Sequence, residues 1–91
     1  MKLVPLRQAE SALLSAIKAG RPVTVVVATK KKDRSLTVTV EESGLISYTE
    51  AGFEHTTETG IDQADARHAI KHAFVREFPR SHKAYLEERR Q

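Results

Sequence analysis

The stretch VTVVVATKKKDRSLTVTV, residues 23–40, contains two runs of β-branched residues on either side of a short charged segment. Both runs are rich in β-branched residues, with Thr among Val or Leu, which is typical of β-strands. Two further runs follow, LISYTE (45–50) and FEHTTET (53–59), separated only by Ala51 and Gly52. The four runs predict a four-stranded antiparallel meander.

The turns between these strands decide which side chains share a face. A two-residue turn at 51–52 sets Tyr48 opposite His55, so that His55 becomes a packed, hydrogen-bonded residue rather than a base. The valines of the second run reach the same face as Tyr48 only if residues 42–44 form a three-residue turn. That turn requires a glycine bulge, which we place at Gly44.

Helical periodicity occurs on both sides of the meander. Apolar residues at 6, 9, 13, 16 and 17 predict a helix over about 5–19, with Pro5 in its first turn and Gly20 after its last. A second helix is predicted from about Ile61 to Pro79, with Asp62 as its cap. The C-terminal SHKAYLEERRQ, residues 81–91, predicts a further short helix.

The element order gives a two-layer α+β fold in a single domain, residues 1–91. It consists of a helix, a four-stranded antiparallel meander, a helix and a short C-terminal helix (α-β-β-β-β-α-α), with the helices on one face.

The chain has no cysteine, which excludes disulfides and cysteine-based zinc sites. It begins MKLVPLRQAE, without the apolar run of a signal peptide, and its longest apolar run, VTVVVA, is too short to cross a bilayer. We therefore expect a cytoplasmic protein with no membrane contact.

Charge is distributed unevenly along the chain. Residues 1–34 carry eight Lys and Arg against two acidic residues, residues 35–66 carry seven acidic residues and no Lys or Arg, and residues 67–91 carry seven Lys and Arg against three Glu. In a meander, the connection after the first strand and the turn after the third lie at one end of the sheet. The end of the second helix should return to that end, so two basic segments converge there, opposite an acidic end.

The residues of this basic pole are the candidate site for nucleic acid or another anionic partner. Cations there can neutralise phosphates, although a run of charge is also an ordinary solvated surface. The predicted contact residues are Lys30, Lys31, Lys32, Arg34, Arg76, Arg80 and Lys83.

Other chemistry has weaker support in the sequence. Asp65, His68 and His72 are spaced so that they share a helical stripe, but no further ligand lies at a diagnostic interval, so no metal site and no cofactor are predicted. The chain also lacks a nucleophile elbow, a phosphate-binding glycine loop and a catalytic dyad, so no enzymatic activity is predicted.

The sequence thus favours a small, non-enzymatic binding protein, regulatory or accessory in role, that contacts nucleic acid weakly and with low sequence specificity. The alternative is a protein interaction or dimerisation module that uses the open face of the sheet or the C-terminal helix. Its partner would be an acidic protein surface or a second copy of the chain.

Overall fold

A computed structural model describes residues 1–79 and 81–90. The fold is α+β, with two helices and a six-stranded antiparallel sheet. The elements in chain order are β1 (Lys2–Pro5), α1 (Leu6–Ala19), β2 (Val23–Ala28), β3 (Ser35–Val40), β4 (Ile46–Ala51), β5 (His55–Ile61), α2 (Gln63–Glu77) and β6 (Lys83–Arg90).

The order of strands in the sheet is β1-β6-β2-β3-β4-β5. The predicted meander corresponds to β2–β5, and β6 returns from the second helix to pair with both β1 and β2. One face of the sheet carries the core side chains, against which α1 and α2 pack. The core is therefore a single layer between the sheet and the helices.

The end of α1 and the start of α2 have the capping residues expected from the sequence. Gly20 follows α1 in the left-handed conformation, with a φ of 69°, and its N–H donates to Ala16 O. Asp62 caps α2, where its Oδ1 accepts a hydrogen bond of 2.8 Å from Asp65 N. The sequence predicted both caps.

The C-terminal helix predicted over residues 81–91 is wrong, because residues 83–90 form β6. Glu and Arg are good helix formers, but β6 has a strand on each side. Two backbone ladders and the full burial of Ala84 against the core outweigh the local propensity. The same finding removes the proposed tail helix as a docking element for a partner.

The predicted turn at Gly44 is confirmed, whereas the turn at 51–52 is wrong. Gly44 has a φ of 90° and donates its N–H to Glu41 O, and Val40 pairs with Ile46 as expected. The β4–β5 turn instead contains three residues, 52–54, so that Ala51 pairs with His55.

The register of β4 and β5 changes the environments predicted for Tyr48 and His55. Tyr48 pairs with Glu58, and its hydroxyl donates a hydrogen bond of 2.8 Å to Glu58 Oε2. Burial, this hydrogen bond and the nearby carboxylates raise the pKa of Tyr48 to about 12. His55 is exposed at the start of β5, so the packed histidine predicted there is a wrong assignment.

Within residues 1–79 and 81–90, neither helix is long and apolar enough to cross a membrane.

Candidate functional site

Five of the predicted cations surround one open cleft at the end of the sheet where β2 leads into β3. The cleft has a volume of about 980 Å³, and we call it the basic cleft. Three segments supply its cations: the β2–β3 connection, the last turn of α2 and the start of β6. The lining residues are Thr29, Lys30, Lys31, Asp33, Arg34, Phe53, Arg76, Glu77, Pro79, Ser81, His82 and Lys83.

Lys30 and Lys31 occupy the corner of an ordered turn. Lys32 N donates to Thr29 O over 2.8 Å, which closes a β-turn with the two lysines at its central positions. Thr29 Oγ1 donates to Asp33 Oδ1 over 2.7 Å. This hydrogen bond lowers the pKa of Asp33 and keeps its carboxylate charged. The two lysines are thus presented at fixed backbone positions.

Arg76 forms an ion pair with the buried carboxylate of Glu50. Its Nε donates to Glu50 Oε2 over 2.8 Å and its Nη2 to Glu50 Oε1 over 2.7 Å, a bidentate pair. The Glu50 side chain has no exposed surface, whereas that of Arg76 is 39% exposed. The hydrogen bonds to Glu50 raise the pKa of Arg76, so the guanidinium stays charged. The pair fastens the end of α2 to β4.

Glu77 is the second buried carboxylate beside the cleft, and it holds the β4–β5 turn. Its Oε1 accepts from Phe53 N at 2.8 Å and its Oε2 from Glu54 N at 3.0 Å. Burial by itself raises the pKa of Glu77, but a side-chain hydrogen bond with Glu50, the backbone hydrogen bonds from Phe53 and Glu54 and the charge of Arg34 together outweigh it and hold the pKa below its usual value. This clamp explains the three-residue turn that the sequence did not predict.

Arg34 is held less firmly than Arg76. Its Nε lies 4.0 Å from Glu77 Oε1, and its Nη1 donates to Glu77 O at the limiting distance of 3.5 Å. Its side chain is 36% exposed. Arg34 therefore neutralises part of the Glu77 charge while still facing the cleft.

Two of the seven predicted contact residues do not join this group. Lys32 is not among the lining residues, and its Nζ lies 5.0 Å from the ring centroid of Tyr85, a cation–π distance. Arg80 lies outside the described residues. The other five, Lys30, Lys31, Arg34, Arg76 and Lys83, line the cleft, and their role in binding stays a prediction.

The sequence prediction missed three residues beside the cleft: Glu50, Glu77 and Phe53. Periodicity could have located the two carboxylates. Glu50 continues the alternation of Ile46 and Tyr48 onto the buried face of β4, and Glu77 follows Phe74 by three residues on the buried stripe of α2. An acidic residue in an apolar pattern indicates a buried ion pair.

The histidines of α2 lie on its exposed surface. The rings of His68 and His72 contact each other at a tilt of 46°, with centroids 4.4 Å apart, and Asp65 is exposed at the start of the helix. No group of three or more His, Asp or Glu side chains able to hold a metal ion occurs among residues 1–79 and 81–90.

Comparison of the chain with models of protein families, with curated proteins and with solved structures found no match in any of the three. The geometry and charge of the cleft are therefore the features that indicate a function.

Proposed function

We propose that the protein binds nucleic acid weakly and with low sequence specificity through the basic cleft, without catalysing a reaction. The observation that carries this proposal is the convergence of five cations on one cleft from segments distant in sequence. Two carboxylates, Asp33 and Glu77, also line it, so the cleft has an excess of positive charge. Such a surface attracts a polyanion.

Three lysines are the most available contacts for phosphate. Lys30, Lys31 and Lys83 are exposed, and within the described part of the chain none of them has a carboxylate within ion-pair distance. Arg34 and Arg76 already face Glu77 and Glu50. The lysines can therefore contact phosphate without breaking an internal interaction.

The number of free lysines sets the strength and salt dependence of binding. Three phosphate contacts give a slope of about −2.7 in log K against log salt, which is roughly a fortyfold loss of affinity between about 50 and 200 mM salt. Base edges play no part in such contacts, which explains the low sequence specificity of the proposed function.

Fluorescence anisotropy with labelled random-sequence oligonucleotides at several salt concentrations tests this function. Lys30→Ala and Lys31→Ala should each make the slope shallower by about 0.9 on a duplex and by about 0.7 on a single strand. Lys32→Ala is a matched control, since it removes the same charge from the same loop but from a side chain over Tyr85. Absence of binding by the parent at low salt, or an equal effect of Lys32→Ala, would refute the proposal.

An acidic protein surface is the other partner that the charge of the cleft admits. The same assay separates the two, because a protein that recognises only an acidic protein does not bind the labelled oligonucleotide at low salt. Binding by the parent protein combined with loss of slope in the lysine variants favours nucleic acid.

The exposed edge strand β5 supports self-association as a second candidate function. β5 is a seven-residue edge strand on which five residues are exposed, and such an edge is a template for another strand. Sedimentation of the parent and of Thr57→Lys tests this candidate, because a lysine on an edge strand discourages pairing. A parent that stays monomeric at high concentration excludes it.

A further inference from the structure

Phe53 is an exposed aromatic residue at the rim of the basic cleft. It is 68% exposed, whereas Phe74 and Phe78, the other two phenylalanines of the chain, are buried in the core. A phenylalanine ring left in water forgoes roughly 1.5–3 kcal/mol of burial free energy. An exposed ring beside cations is the arrangement found in single-strand binding sites.

The backbone beneath this ring is fixed. Glu77 accepts hydrogen bonds from the N–H groups of both Phe53 and Glu54, and its carboxylate is buried. Gly52 N also donates to Glu54 O over 3.1 Å, which closes the turn on itself. Only the two side-chain torsions of Phe53 remain to be ordered when a flat partner stacks on its ring, so the entropic cost of contact is small.

From the position of Phe53 we infer that the ligand is a single strand, one of whose unpaired bases stacks on the ring while its phosphates contact Lys30, Lys31 and Lys83. All four residues line the same cleft. In a duplex the faces of the bases are already stacked on one another, so Phe53 can engage a base only in a single-stranded segment. This inference rests on the proposed function and adds to it a preference for unpaired bases.

The first test distinguishes the contribution of the bases to the affinity from that of the phosphates. The labelled probes are an oligothymidylate, its RNA counterpart, a duplex of equal length and an abasic oligomer with the same phosphates. The parent should bind the two single strands between roughly five- and 150-fold more tightly than the abasic oligomer. Phe53→Leu should remove this difference and leave the salt slope unchanged, and Phe53→Tyr should retain it.

The second test observes stacking directly. The chain has no tryptophan, so Phe53→Trp introduces a single tryptophan at the rim of the cleft, which can be excited selectively over the two tyrosines. Leu45→Trp is the control, because Leu45 is 42% exposed and lies beyond the opposite end of the β3–β4 ladder. Addition of oligothymidylate should quench the tryptophan at position 53 and leave the one at position 45 unchanged, and the abasic oligomer should quench neither.

Different results would refute the stacking inference and the proposed function. If oligothymidylate and the abasic oligomer bind equally, with a lysine-dependent slope and no effect of Phe53→Leu, the stacking inference is wrong and the proposed function stands. If no probe binds at low salt, both are wrong. Equal affinity for DNA and RNA single strands is expected, since neither the ring nor the lysines contact the 2′-hydroxyl in this arrangement, and a strong preference for either one overturns this mode of contact.

Discussion

Removal of Arg76 should destabilise the fold more than its partly exposed position would indicate. In Arg76→Met, both oxygens of Glu50 lose the hydrogen bonds of 2.8 and 2.7 Å that they accept, although the carboxylate remains in the core. Breaking a buried ion pair from one side costs about 3–5 kcal/mol. Because Arg76 itself is 39% exposed, we expect the lower end, a loss of about 3 kcal/mol in the free energy of unfolding.

Urea denaturation followed by far-ultraviolet circular dichroism measures this loss, and in a chain of this length it corresponds to a fall of roughly 12–24 °C in Tm. Arg67→Met is a matched control, since Arg67 is exposed on the same helix, and it should change stability by less than about 0.5 kcal/mol. The double variant Glu50→Met/Arg76→Met removes both charges and should return to within about 1 kcal/mol of the parent. The reasoning is refuted if Arg76→Met costs less than about 1 kcal/mol, or if the double variant is less stable than Arg76→Met.

Further predictions concern Glu77 and Gly52, beside the cleft, and the buried Tyr48 of β4. Glu77→Gln should cost about 2–3 kcal/mol at neutral pH, because the amide nitrogen that replaces one carboxylate oxygen cannot accept a hydrogen bond, so the N–H of either Phe53 or Glu54 loses its acceptor. Because the pKa of Glu77 is lower in the folded protein than in the unfolded one, its charged carboxylate stabilises the fold above the unfolded pKa, and this stability is lost as pH falls through the folded pKa. Glu77→Gln lacks the ionisable group, so its urea midpoint should fall less in acid than that of the parent. Gly52→Ala should cost about 1–3 kcal/mol, since the added Cβ would overlap the Glu77 carboxylate and lie 2.7 Å from Arg34 Cγ; a variant with an unchanged urea midpoint contradicts this. Spectrophotometric titration should show a tyrosine ionising near pH 12, and that phase should be absent from Tyr48→Phe.

Local patterns predicted the elements that depend on neighbouring residues. Helix α1 and the β2–β5 meander follow from periodicity and turn chemistry, and Gly44 determines its turn through its own backbone conformation. β6 depends instead on strands far away in sequence. The composition of β2, VTVVVA, does hint at a missing neighbour, because an uncharged, valine-rich strand is a poor edge strand.

The convergence of the cations on one cleft was predicted from the sequence, but their contacts with internal carboxylates were not. The antiparallel topology was enough to bring Lys30, Lys31 and Lys83 to one end of the sheet. Whether a cation faces the cleft or an internal carboxylate depends on side-chain packing, which cannot be inferred from the order of charged residues along the sequence. The three consecutive lysines illustrate this, since the left-handed backbone of Lys32, with a φ of 59°, separates its side chain from the other two.

The internal carboxylates also determine how much free energy each cation can contribute to a contact with phosphate. Taking Arg76 from Glu50 would leave a buried carboxylate without its partner, at a cost of about 3 kcal/mol, which exceeds the roughly 1 kcal/mol of a surface ionic contact. Arg34 can turn toward a phosphate at less cost, because its distance to Glu77 is already 4.0 Å. Lys30, Lys31 and Lys83 lose no ion pair within the described part of the chain. Alanine substitutions of these lysines should therefore weaken nucleic-acid binding without lowering stability, whereas loss of binding in an Arg76 variant should follow its loss of folding.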